Sequence, residues 1–289
     1  MNFKQKLEKI VKKNNSLLCI GLDPDLEKIP NHLLKENDPI FMFNKIIIDS
    51  TFNLVCSYKP NIAFYEAYGE KGHKSLKKTI EHLQAKHSEI PIILDAKRAD
   101  IANTSEMYAK AVFDYWNADA VTVNPYLGFD SIEPFLKFKD RGVIVLCRTS
   151  NRGASDFQDP KVPIRIHLRG GLALTPRDTL YEPLYVKVAK KIVEWNKMHN
   201  NCLMVVGATW PEQLKKVREI APNMFFLVPG IGAQRGDVEK TLKNGLTKER
   251  SGLIIHMSRQ IIYASKTEDF AQKSRHETRK LRDLINKYR

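Results

Sequence analysis

What most limits the fold of this chain is a rhythm. Eight short apolar runs recur along it: LLCIGLD from Leu17, CSYKPN from Cys56, PIILDAK from Pro91, AVTVNPY from Ala120, GVIVLCRTS from Gly142, CLMVVGAT from Cys202, MFFLVPGIG from Met224 and GLIIHMSR from Gly252. Most are dense in Val, Ile, Leu and Phe without strict alternation. That pattern suits strands covered on both faces, as in a parallel sheet. Between them lie segments with helical spacing, such as FMFNKIIIDSTFNLV, GHKSLKKTIEHLQAKH and EPLYVKVAKKIVEWNKMH. Strand-helix alternation throughout predicts an α/β fold. Eight such strands in 289 residues predict a (β/α)8 TIM barrel formed by residues 1–289 as one domain. A doubly wound open sheet is the alternative, but no GxGxxG follows the first strand.

One segment breaks the rhythm. Residues 152–183, rich in Gly, Pro, Asp and Arg, separate the fifth strand from its helix. A loop of that length in a compact domain is usually functional or disordered.

The net charge of +14 could indicate nucleic acid, an anionic membrane or an acidic substrate. Lys and Arg are spread along the whole chain, and no zinc spacing or aromatic-basic repeat accompanies them, so no nucleic-acid partner is expected. The densest basic stretch, KSRHETRKLRDLINKYR, reads as an amphipathic helix with Leu281, Leu284 and Ile285 facing inward. The N-terminal stretch lacks a signal-peptide core, and no run is long enough to span a bilayer. Cys19, Cys56, Cys147 and Cys202 each lie in or beside an apolar run, as buried free thiols would. A cytoplasmic protein with no membrane partner is expected.

The strand ends carry the chemistry. In a (β/α)8 barrel, active groups sit at the C-terminal ends of the strands. Those ends hold Asp23, Lys59, Asp95 with Lys97, Asn124, Thr149 with Ser150, Thr209, Gly230 with Gly232, and Arg259. So many polar groups point to a charged ligand. Asp95 and Lys97 stand two apart in a strand and should project to the same side. Asp100 lies past that strand, with Thr104 one helical turn further. Taken alone, the Asp95–Lys97 spacing also suits a structural ion pair, and the glycines suit an ordinary turn. His256, inside the eighth run, reads as a core histidine with its hydrogen bonds satisfied.

The stretch ILDAKRADIANT resembles the D-x-K-R-x-D-I signature of the orotidine 5'-phosphate decarboxylases. The segments CIGLDPD, YKPNIAFYEAYG, NPYLGFDSIEPF, RTSN, DFQD, VVGAT and VPGIGAQRGD extend the resemblance, in order, to the longer-chain (type 2) branch of that family. It implies a barrel homodimer with shared active sites, needing no cofactor and no metal, that converts orotidine monophosphate to uridine monophosphate and CO2. It further implies that Lys97 protonates C6, that Asp95 lies against the substrate carboxylate, and that Lys59 holds Asp95 and a ribose hydroxyl. Asp100 and Thr104 would reach the neighbouring subunit's site. Asp23 would bind ribose, Ser150 the pyrimidine edge, and Gly230, Gly232, Gln234 and Arg259 the phosphate. Asn61 stands where many relatives have Gln and is a substrate-contact candidate.

Two departures are visible. KVPIRIHLRGGLALTPRDT is longer than the family pattern, and HMSR lacks the small residues usual before the phosphate Arg. Two other readings compete: a metal-dependent sugar-phosphate decarboxylase or aldolase of the same superfamily, and a basic barrel that binds RNA or serves as a scaffold.

Overall fold

The eight apolar runs all become strands. The computed structural model describes residues 1–164, 180–231 and 237–289. Its barrel strands are β1 (Leu18–Leu22), β2 (Ser57–Pro60), β3 (Ile93–Arg98), β4 (Ala120–Val123), β5 (Gly142–Arg148), β8 (Cys202–Val206), β9 (Phe226–Val228) and β10 (Leu253–Met257). They form one parallel sheet in the order β2-β1-β10-β9-β8-β5-β4-β3. Its two ends meet through bridges at Tyr58–Ile92 and Asn61–Asp95, with the Tyr58 N–H donating to Pro91 O at 3.1 Å. The sheet therefore closes into a (β/α)8 barrel, as the rhythm predicts.

The strands are continuous apolar runs because the barrel interior covers one face and helices cover the other. Every residue of β1, β2, β4 and β8 is buried. Each fully buried Leu or Ile contributes about 1.5–3 kcal/mol from its apolar area. The predicted helical segments pack outside as Pro39–Thr51, Gly69–Lys86, Leu184–His199, Pro211–Ile220 and Val238–Gly245. The segment after β3 runs as helix Ala102–Lys110 and then one π-helical stretch, Ala111–Tyr115.

Two terminal helices complete the layer. Helix Phe3–Lys13 opens with a capping box between Asn2 and Gln5, and its Phe3 packs against Gly142 at the start of β5. The C-terminal helix Phe270–Tyr288 buries Phe270, Ser274, Thr278, Leu281 and Ile285. Leu284 departs from expectation and is 37% exposed. The inward stripe steps 274, 278, 281, 285, and Leu284 falls just beside it. No described helix is long and apolar enough to cross a membrane. All four cysteines are free and buried, and burial pushes the Cys19 and Cys147 thiols up to about 12.

The segment expected as one long loop has structure of its own. Short helical turns at Arg152–Ala154 and Ser155–Gln158 lead to an antiparallel ribbon of β6 (Lys161–Pro163) and β7 (Tyr181–Pro183).

Candidate active site

At the C-terminal end of β2 and β3 the otherwise largely apolar sheet presents a group of charged side chains. Lys59 on β2 is 3% exposed and donates to Asp95 Oδ2 on β3, itself 8% exposed. Lys97 Nζ donates to Asp95 Oδ1 at 2.7 Å, and the Thr122 hydroxyl on β4 donates to the same oxygen at 2.8 Å. Burial by itself pushes the Asp95 carboxyl up. The Lys59 and Lys97 ammonium groups outweigh it and hold Asp95 well below the usual carboxylate range. Burial lowers Lys59, but the Asp95 and Asp23 charges prevail and raise it.

Lys97 does share a side with Asp95, though not by regular strand geometry. The β3–β4 register shifts between Leu94 and Arg98, and Lys97 has φ +48°. A non-glycine residue in that region costs about 1–3 kcal/mol and persists only where its surroundings hold it. Here the Lys97 N–H donates to Thr122 Oγ1 at 3.0 Å, so one hydroxyl fixes both the bulge and the carboxylate. The Lys97 side chain remains 49% exposed. It is the solvent-accessible member of an otherwise buried array.

These groups line a cavity of about 520 Å³, within the range of small-molecule sites. Ser150, Leu146, Leu227, Pro229, Phe157 and Gln158 form other parts of its wall. The segment after β5 thus supplies wall as well as connection. Buried Arg148 anchors it through Asp159 at 3.0 Å and the Thr149 carbonyl at 2.9 Å. Gln158 Oε1 accepts the Thr149 N–H at 2.8 Å, and Thr209 donates to Ser150 O at 3.3 Å. Thr149 lines the cavity, as its strand-end position suggests, and also holds the Ser150 turn, whereas Thr209 holds that turn from outside the lining. Asn124 caps its own turn by accepting the Tyr126 N–H.

The remaining candidates fall into three groups. Asp23, just past β1, has Oδ1 buried with no hydrogen-bond partner among the described residues, and burial raises its carboxyl against the pull of Lys59. Asn61 bridges Asp95 through the backbone, while its Oδ1 accepts the Ala63 N–H at 3.2 Å. Gly230 has φ +100°, a conformation that favours glycine, beside Pro229 of the cavity wall. Asp100 and Thr104 lie beyond β3 outside the cavity lining, and Asp100 Oδ1 accepts the Ile101 N–H at 2.7 Å. Gly232 and Gln234 lie outside the described residues.

Two expectations change. Arg259 is not a strand residue: β10 ends at Met257, and Arg259, itself exposed, opens the helical turn Arg259–Ile262, which is anchored by buried Ile261 and Ile262. His256 is not a satisfied core histidine. It lines the cavity, and its Nε2 is buried near Gly21 without a partner among the described residues. A Cβ at residue 21 would sit 2.5 Å from that nitrogen, so glycine makes room for the ring. Burial, with the Lys59 cation second, lowers the imidazole well below its ordinary range. Sequence reasoning also missed Thr122. Its signal was a lone hydroxyl among the valines of AVTV, a weak cue because Thr is at home in any strand.

Residues 16–169 match the profile of the "Orotidine 5'-phosphate decarboxylase / HUMPS family". The orotidine 5'-phosphate decarboxylase of Cellvibrio japonicus is 49% identical over 99% of this chain and 98% of its own. Among solved structures, the OMP decarboxylase of Leishmania donovani superposes with a TM-score of 0.80 at 35% identity, covering 100% of this chain and 99% of the other. The UMP synthase of the same organism matches at TM-score 0.82 and 36% identity, over 100% of this chain but 56% of that longer one. The D-x-K-R-x-D-I stretch, the closed barrel and these full-length similarities agree: this chain belongs to the orotidine 5'-phosphate decarboxylase / HUMPS family.

Proposed function

We propose that the cavity above β2 and β3 is where this chain acts, with Lys97 delivering the proton that replaces a departing carboxylate. The chain is an orotidine 5'-phosphate decarboxylase, a carboxy-lyase that converts orotidine monophosphate to uridine monophosphate and CO2 in pyrimidine nucleotide synthesis. The observation that carries the site assignment is the Lys59–Asp95–Lys97 array pinned by Thr122.

In the reaction the bond from C6 to the carboxylate breaks, CO2 departs, and the electron pair stays on C6. The Lys97 ammonium gives its proton to that carbon, and solvent restores it through the exposed face of the side chain. Asp95, held ionised by two cations, faces the substrate carboxylate. Their repulsion eases as negative charge moves into the ring, so the contact favours the transition state over the bound substrate. This chemistry asks for neither a cofactor nor a metal. Asp23 and Lys59 take ribose hydroxyls, Ser150 the pyrimidine edge, and Asn61 a further substrate contact. Gly230, Gly232, Gln234 and Arg259 take the phosphate.

The active unit in this reading is a homodimer, with Asp100 and Thr104 completing the partner's site. Two features support it: Asp100 lies past the end of its own β3, and Ile101, Met107, Tyr126 and Leu127 leave apolar surface exposed on the segments after β3 and β4. Residues 1–289 act as one domain. Buried thiols and a charged surface suit the cytoplasm.

The deciding experiment follows loss of orotidine monophosphate absorbance with purified protein in excess chelator. Full turnover is expected. Activity that required added magnesium would favour the metal-dependent sugar-phosphate reading instead. For the dimer, mixing Lys97→Ala with Asp100→Ala should restore partial activity, since one site of a mixed dimer receives neither lesion. No recovery after confirmed subunit exchange would exclude sharing.

A further inference from the structure

At the opposite end of the barrel, two histidines converge on one carboxylate oxygen. Asp49 lies in the last turn of helix Pro39–Thr51, which leads toward β2. His82 lies in helix Gly69–Lys86, and His87 caps that helix's C-terminus before β3. His82 Nε2 is 2.6 Å from Asp49 Oδ1, and His87 Nε2 is 3.4 Å from the same oxygen. One donor atom from each residue can be chosen so that all three lie within 4.8 Å of one another. We propose that Asp49, His82 and His87 bind a divalent transition metal of the zinc class, tying the two helices together at the N-terminal end of the barrel.

The donor set selects the metal. Two imidazoles and one carboxylate suit zinc, cobalt or nickel, whereas magnesium and calcium favour sites built of oxygen. Around a tetrahedral ion with bonds of about 2.0–2.2 Å, neighbouring donor atoms stand roughly 3.3–3.5 Å apart. The His87–Asp49 separation of 3.4 Å already matches that spacing. The 2.6 Å pair must open by under about 1 Å, a side-chain adjustment.

The rings are already oriented. His87 stacks on Phe52 with ring centroids 4.5 Å apart, and His82 meets Phe41 edge-on at 6.2 Å. Both imidazoles are largely shielded, while the Asp49 side chain is 38% exposed and leaves a face for a water ligand. Lys45 Nζ is the competing cation, 2.8 Å from Asp49 Oδ2. It holds the other carboxylate oxygen, and as a flexible surface side chain it can turn into solvent. The position also fits a structural role. Chemistry in this architecture lies at the C-terminal face of the sheet, and the opposite face serves stability.

The test uses untagged, chelator-treated protein titrated with Zn2+ by calorimetry, with Co2+ as an optical probe. One ion per chain is expected, with the visible absorption of tetrahedral Co2+ and a rise in Tm on adding zinc. His82→Ala and His87→Ala should each weaken binding by at least about 100-fold, the upper end of what losing even an outer partner costs. Asp49→Asn keeps the size of the side chain and should also weaken binding. Decarboxylase turnover in the variants reports that they are folded, because none of the three residues lines the cavity. Zinc binding that is absent in the wild type, or equally tight in His82→Ala/His87→Ala, would overturn the proposal.

Discussion

Two buried charge clusters sit at opposite ends of this barrel, and they solve the cost of burial differently. At the N-terminal end, Arg218 is 8% exposed and spends its donors on main-chain carbonyls: Gly245 at 2.7 Å, Ala221 at 2.9 Å, Met224 at 2.6 Å and Gly252 at 2.9 Å. Its guanidinium also lies over the Phe226 ring at 3.7 Å. Burial lowers it to about 10, so it stays charged at neutral pH. At the C-terminal end, Asp95 is satisfied by other side chains, and one of them, Lys97, is half in solvent. The first cluster is closed and welds loops together. The second keeps a charged group with a free side, which is what a reaction needs. Burial of charge alone therefore does not mark a functional site; spare capacity beside the buried charge does.

That contrast can be broken most directly at Lys97. Lys97→Ala should lower kcat by about 10²–10⁴-fold, the usual worth of a positioned general acid, while stability to urea barely moves. Retention of about a tenth of wild-type turnover would remove Lys97 from the chemistry.

Arg218→Met should show the reverse. It removes hydrogen bonds to five main-chain carbonyls, of which Gly252 O and Ala221 O keep a backbone N–H donor, and an unfolding free energy lower by about 3–5 kcal/mol is expected from denaturant curves, with kcat of the folded fraction nearly unchanged. A fall in kcat without a fall in stability would erase the distinction between the two ends.

Arg259→Ala sharpens it, because this exposed cation at the C-terminal end is assigned to the ligand rather than to the fold. It should lose roughly 2–5 kcal/mol in kcat/KM on the nucleotide and little on the phosphate-free nucleoside. Equal losses on both substrates would make Arg259 a structural residue.

Several features were legible early because they depend on local pattern. The eight runs, the order of the helices and the Asp95–Lys97 spacing all follow from periodicity. The roles of Thr209 and Asn124 were not legible. A polar residue after a strand looks the same whether it meets a ligand or holds a loop, and only its partner decides. Leu284 illustrates the same limit on a helix, where a small rotation of the stripe moves a leucine from core to surface.

His256 is the clearest case of what sequence cannot carry. It sits in an apolar run, as a core residue does. Its place in the cavity depends on Gly21 across the sheet, 235 residues away in the chain and near it only after the barrel closes. By itself the sequence determined the strand-helix alternation, the barrel class and the family motif, because these rest on side-chain periodicity and short-range spacing. Tertiary structure alone decided that Lys59, Asp95, Lys97 and Thr122 form one hydrogen-bonded array, that Lys97 sits on a bulge, and that Asp49, His82 and His87 converge. Those contacts join separate strands and helices, and their geometry is set by register and packing that no single segment encodes.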